Sequence, residues 1–307
     1  MEQRRPRFRE KRRRDETVAA LICLLPAAVI LLVFSVIPIL VSAFLSLVDW
    51  RGAGSPRTFV GLAQYGELFR TPEFWNSVKV TVLYAAGVTV FGLVAGLAVA
   101  LGLSGRVRGR AVWRSVYFVP AVTSTVAAGI VWTYLFDPSG GLINRWLGVI
   151  GVSGPAWLTD PSWALPAVIA VGVWKRLGFN MLIYLAGLQS VPDEYYEAVA
   201  VDGAGPWAKF RFITWPLLSP TTWLLTIMSM IDSFQVFDQV FVMTSGGPMG
   251  ATEVLGLYLY RQGFNLFHLG FASAIGWVIF VFVFVATVIQ WRVSGMGGER
   301  VYVASRG

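Results

Sequence analysis

The sequence predicts an all-α, polytopic membrane protein with six transmembrane helices and both termini in the cytoplasm. Three observations carry that expectation. Hydrophobic residues fill 56% of the 307 positions and charged residues only 14%, too few charges to coat a soluble globule of this length. Six apolar stretches approach or exceed the roughly 20 residues that a helix needs to cross the hydrocarbon core. Lysine and arginine are unevenly shared between successive connections, 17 on one side against 5 on the other, and the positive-inside rule places the richer side in the cytoplasm.

The elements follow in chain order. Residues 1–16 form a basic tail that holds eight of the 25 lysines and arginines. This clustering makes much of the net charge of +8 a topology signal, so no nucleic-acid partner is expected. The apolar run that follows, 18–48, is far longer than the roughly 7 to 15 residues of a cleaved secretory signal, so it is expected to stay as the first span. Residues 17–307 then form one transmembrane domain surrounded by membrane lipid, with spans at 17–47, 79–103, 115–136, 164–188, 217–243 and 269–291. Trp50, Trp75, Trp113, Trp163, Trp215 and Trp291 lie near span ends, where the interfaces favour amphipathic rings. Gly92 and Gly96 make a small-xxx-small pair suited to close helix packing. Pro26, Pro38, Pro120 and Pro166 mark kinks or helix ends. Cys23 is the single cysteine, which excludes a disulfide framework and a cysteine-rich metal site. The connections 49–78, 137–163 and 244–268 fall outside; His268, with no metal-ligand spacing around it, is expected as a surface residue, and no metal site is predicted.

Between the fourth and fifth spans lies a polar hairpin at about 190–216. Ser190 can cap its first helix, Pro192 sits near the first turn, and Asp193 and Glu194 place negative charge at the positive end of the dipole. Gly203 stops that helix, and Gly205 and Pro206 start a second one. In it Trp207, Phe210 and Ile213 are expected to share a face opposite Lys209 and Arg211. Glu197-Ala198, Asp202-Gly203-Ala204, Ile213 and Pro216 stand at the spacing of the EAA signature of ABC importer permeases. The chain resembles the sugar-uptake branch of that family, built like the maltose permeases. Trp174, Val191-Pro192, Phe237-Asp238, the run Thr244 to Pro248, Glu253 and Tyr258 extend the resemblance over nearly the whole chain. Val199 and Trp215 depart from the usual alanine and leucine, and both keep the position apolar.

The resemblance implies a type I ABC importer permease fold that imports a carbohydrate: a sugar, an oligosaccharide, or a sugar or glycerol phosphate. It implies a second homologous permease, two nucleotide-binding ATPase subunits and an extracytoplasmic solute-binding protein that docks on the outer loops. The helix with Glu197 and Ala198 becomes a coupling helix inserted into a cleft of the ATPase. Glu197 offers a charge-assisted bond there. Asp202 belongs to the same motif, and Ala198, Gly203 and Ala204 keep the backbone close to the partner. The chain has no Gly-x-x-x-x-Gly-Lys-Ser/Thr loop. It is therefore not expected to be an enzyme or to bind a cofactor itself; ATP and Mg belong to the partner ATPase.

Polar groups at membrane depth default to functional hypotheses. Asp232, Gln235 and Gln239 are expected on one helical stripe of the fifth span, with Asp238 beside them. Lys175 and Arg176 in the fourth span lie at a depth of about 15 to 20 Å, close to that of Asp232. Three readings stay open for them: a structural ion pair with Asp232, a site for an anionic substrate, or a water-exposed vestibule. By resemblance, Asp232 and more loosely Phe179 and Asn180 match the part of maltose-type permeases that touches substrate. A rival reading is an ion-coupled secondary transporter or channel that uses Asp232 and Asp238. A membrane enzyme has no nucleophile and base set to support it.

Overall fold

The first span begins as a continuation of the basic tail. In the computed structural model, which describes residues 6–52, 54–105 and 108–303, α1 (Pro6–Leu31) runs unbroken from tail into apolar segment. Arg4, Arg5, Arg106 and Arg306 lie outside the described residues. A π-helical turn, Leu32–Val36, then leads into α2 (Ile37–Leu45). The wide turn sits where the ring of Pro38 would strike the carbonyl four residues back, so it is the kink expected of this proline.

The connection after α2 contains two short strands that the sequence pattern did not announce, β1 (Val48–Asp49) and β2 (Thr58–Phe59), antiparallel with Val48 opposite Phe59. Next comes α3 (Ala63–Arg70), and then α4 (Pro72–Ser104), which starts at the strong signals of Pro72 in its first turn and Glu73 beside it. The predicted third span is not one helix. It is α5 (Arg110–Val122) and α6 (Thr125–Leu135), bent by 98° at Thr123 and Ser124. Both of these residues are extended or nearly so, and the Ser124 hydroxyl caps α6 by accepting the Ala127 N–H at 3.4 Å.

A short helix, α7 (Leu142–Val149), precedes α8 (Pro161–Gln189), which Asp160 caps through the Ser162 N–H at 2.7 Å. The cytoplasmic hairpin of the sequence reading is α9 (Asp193–Val201) and α10 (Pro206–Lys209). The predicted fifth span is also broken, into α11 (Trp215–Phe234) and α12 (Asp238–Met243). Then follow α13 (Leu255–Tyr260) and α14 (Leu269–Val303).

Among the described residues four helices are long and apolar enough to cross a bilayer, or five if the bent α5–α6 pair is one span. The helix α11 has the length, but its many serines and threonines leave it less apolar.

The most extensive helix pair is α4 with α8. Gly92 and Gly96 make it possible. A methyl group added to Gly96 would lie 2.6 Å from the Asn180 Cβ, and one on Gly92 3.3 Å from the Asn180 amide nitrogen. Two buried clusters flank this contact. One gathers Tyr84, Val88, Val168, Val171 and Val240; the other, toward the hairpin, gathers Leu97, Met181, Tyr184, Leu218 and Leu225. The apolar window of the first span, within 20–45, is wholly exposed in the isolated chain.

Candidate functional site

Two features stand out, an exposed elbow and a polar cavity, and the same two helices join them. The elbow leaves α8 at Ser190, whose hydroxyl donates to the Gly187 carbonyl at 2.8 Å. Ser190 thus ends α8 and does not cap α9; Pro192 holds the cap position, with no side-chain bond there. Asp193 and Glu194 occupy the first turn of α9 as the dipole favours. Gly203 closes the helix at φ +76°, a conformation easy for glycine and strained for other residues. The turn is tight: Gly203 N–H donates to Ala200 at 3.1 Å and Ala204 N–H to Val199 at 3.1 Å. Tyr196 and Thr214 join hydroxyls at 3.0 Å, tying α9 to the foot of α11.

This elbow presents Glu197, Ala198, Asp202 and Gly203 to the exterior, with Ala204 half-buried behind them. Around them stand large apolar side chains, Val201 at 88% exposure and Trp207 at 73%, with Phe212 beyond. Trp207 and Phe210 keep the expected common face, their rings stacking at 5.6 Å, with Phe210 half-buried against the hairpin-side cluster and Trp207 exposed. Residues Phe210–Thr214 form a π-helical turn, whose extra residue shifts the angular phase beyond Phe210.

The cavity, of about 220 Å³, opens between α4, α6, α8 and the α11–α12 break. Its charged lining is Lys175, Arg176, Asp232 and Asp238, with Gln235, Ser233, Thr125 and Tyr84 among them. The depth match read from the sequence is realised as a direct ion pair, Arg176 Nη1 donating to Asp232 Oδ2 at 2.5 Å. Lys175 turns elsewhere: its Nζ donates to the Thr123 carbonyl at 2.7 Å, at the bend between α5 and α6.

The predicted stripe of Asp232, Gln235 and Gln239 is corrected by the helix break. Gln235 is the residue after α11 ends, and Asp238 opens α12. Gln239 is locked inside the bundle, donating to the Val168 carbonyl at 2.7 Å and accepting from Tyr84 at 3.2 Å. Phe179 and Asn180 lie away from the cavity lining. Phe179 packs against the hairpin-side cluster, and Asn180 is fully buried against Gly92 and Gly96, its amide making no hydrogen bond among the described residues. Sequence reasoning did not single out Tyr84 or the Thr123 carbonyl. A tyrosine inside an apolar span was the available signal for the first, and Pro120 three residues upstream for the second.

The remaining motif residues form an outer brace. Arg261 donates to Glu253 at 2.6 Å and to the Ser245 carbonyl at 2.5 Å, Thr244 and Thr252 share a hydroxyl bond at 2.7 Å, and Asn76 of α4 donates to the Gly250 carbonyl at 2.9 Å. Burial holds the Glu253 carboxyl above its ordinary range, although Arg261 opposes the shift. Trp174 meets Trp132 edge to face at 5.4 Å, fixing α6 against α8. His268 is half-buried beside Gln262, 3.3 Å from its side-chain oxygen.

A bundle of apolar helices around a charged interior cavity, with an exposed elbow at one end, is the architecture of a multi-pass membrane protein. The chain belongs to the family of binding-protein-dependent transport system inner membrane components, whose signature matches residues 89–294. It is 35% identical to the probable ABC transporter permease protein YurN of Bacillus subtilis, over 90% of this chain and 96% of that one. It is also 35% identical to the trehalose/maltose transport system permease protein MalF of Thermococcus litoralis, over 88% and 92%. Among solved structures it is similar to a chain of a bacterial alginate ABC transporter in complex with an alginate pentasaccharide-bound periplasmic protein. That match has a TM-score of 0.79 and 25% identity, over 92% of this chain and 94% of the other. Family membership sets aside the ion-coupled carrier and channel.

Proposed function

We propose that this chain is the permease subunit of an ATP-driven importer that moves a carbohydrate delivered by an extracytoplasmic binding protein. Relatives named for trehalose/maltose, lactose and sulfoquinovosyl glycerol transport support the substrate class. In this reading the chain crosses the membrane six times, with the α5–α6 pair and the α11–α12 segment as broken spans and both termini in the cytoplasm. It pairs with a second homologous permease, and the exposed apolar window of the first span supports such a partner. Two ATPase subunits use ATP and Mg; this chain binds neither.

The observation that carries the proposal is the placement of the elbow. It joins α8 to α11, and these two helices carry Arg176 and Asp232, about 20 Å and about 25 Å further along at 1.5 Å per residue. A displacement of the elbow by a closing ATPase pair is thereby delivered to both walls of the cavity as a rigid-body motion. Glu197, Ala198, Asp202, Gly203 and Ala204 form the docking surface. Asp232, Gln235 and Asp238 face the carbohydrate path, where carboxylate and amide groups suit sugar hydroxyls.

The test is Glu197→Lys in the assembled complex. The variant is expected in the membrane at normal abundance, with substrate-stimulated ATP hydrolysis and uptake both lost. Retention of both activities would remove the elbow from coupling.

A further inference from the structure

The two adjacent cations of α8 grip two different helix breaks. At the first, α5 ends on Val122, and the last carbonyls of a helix have no partner within it. Inside a bilayer each must find one. Lys175 supplies it for Thr123 at 2.7 Å, and its positive charge also suits the negative end of the α5 dipole. Gly178, one turn further along α8, permits the approach, because a side chain there would collide with the backbone of Tyr117 and Phe118. At the second break, Asp232 sits in the last turn of α11, where a carboxylate is disfavoured by the helix dipole. Arg176 offsets that charge through the ion pair.

We propose that Lys175 and Arg176 are positioning residues that hold the two breaks around the cavity, so that the cavity takes an uncharged saccharide and not an anionic one. The charge balance supports this. Two cations and two carboxylates line the cavity, both cations are engaged by the protein, and Asp238 is the charge without an ion-pair partner among the described lining residues. An incoming phosphate or carboxylate would share Lys175 with the Thr123 carbonyl and Arg176 with Asp232, and would face the negative charge of Asp238. The inference rests on the reading of this cavity as the carbohydrate path.

The test uses the complete transporter, permease pair, ATPase and binding protein, in proteoliposomes. Lys175→Met, Arg176→Gln and Asp232→Asn should each lower maximal uptake about tenfold or more, while the KM for loaded binding protein moves less than about twofold. The exchange Arg176→Asp with Asp232→Arg should recover uptake to within about threefold of the parent, and Lys175→Arg should retain it. The ligand that co-purifies with the binding protein should be an uncharged saccharide by mass spectrometry. An exchange variant as inactive as the single variants, a raised KM at full maximal rate, or a carboxylated or phosphorylated ligand would overturn the proposal. Labelling of the variant Gln235→Cys distinguishes the underlying reading. If loaded binding protein and ATP leave its labelling rate unchanged, the path lies elsewhere, while rescue by the exchange would still report the brace.

Discussion

At the scale of single residues, Gly96 and Asn180 show how a membrane bundle spends its interior space. The Asn180 side chain fills the groove that Gly92 and Gly96 leave open, so the glycines were legible in the sequence as packing residues. The amide itself was not legible as buried, because nothing in its neighbours distinguishes a polar residue facing a cavity from one facing a helix groove. A side chain at position 96 has no room: Gly96→Leu should cost about 1–3 kcal/mol or more through overpacking, read as a lower unfolding temperature of the purified protein. Asp232 was legible as a functional candidate because charge at membrane depth is costly. Asp232→Ala should leave membrane abundance near normal and lower uptake about tenfold or more, since it strips Arg176 of its partner at the cavity wall. Unchanged uptake kinetics in that variant would take Asp232 out of the path.

At the scale of elements, Gly205 with Pro206 was read as a helix start and begins α10. The starts of α4 and α8 were misplaced: they lie at Pro72 and Pro161, before the expected 79 and 164, because the apolar pattern begins later than the proline and acidic start residues. Gly203 ended α9 as read, and its φ of +76° makes a prediction. Gly203→Val should strain the elbow by about 1–2 kcal/mol and reduce ATP-coupled uptake more than membrane insertion, measured as uptake per molecule in the membrane. The break between α11 and α12 was illegible, since Gln235, Val236 and Phe237 include neither proline nor glycine. Its cause is tertiary: Gly256 of the following segment approaches the Val236 carbonyl, and Gln239 is drawn into the bundle by Val168 and Tyr84. The π-helical turn at Phe210–Thr214 was likewise hidden.

At the scale of the whole molecule, the membrane character and the family signature were readable because both depend on short-range patterns of apolarity, charge, glycine and proline. The meeting of Arg176 with Asp232 across 56 positions required the fold. Helices α8 and α11 run from one exposed elbow to one charged cavity, and the elbow and the apolar window of the first span are the two exposed surfaces that the proposed assembly covers. The central claim is that the elbow docks on a nucleotide-hydrolysing subunit. Site-specific cross-linking in native membranes tests it most directly, with a photoreactive residue placed at Ala198 and, as a control, at the exposed Met249 of the opposite connection. The account predicts capture of an ATPase subunit from position 198, with a yield that changes on adding ATP, and none from position 249. Absence of any ATPase adduct from position 198, with the protein at normal abundance, would contradict it.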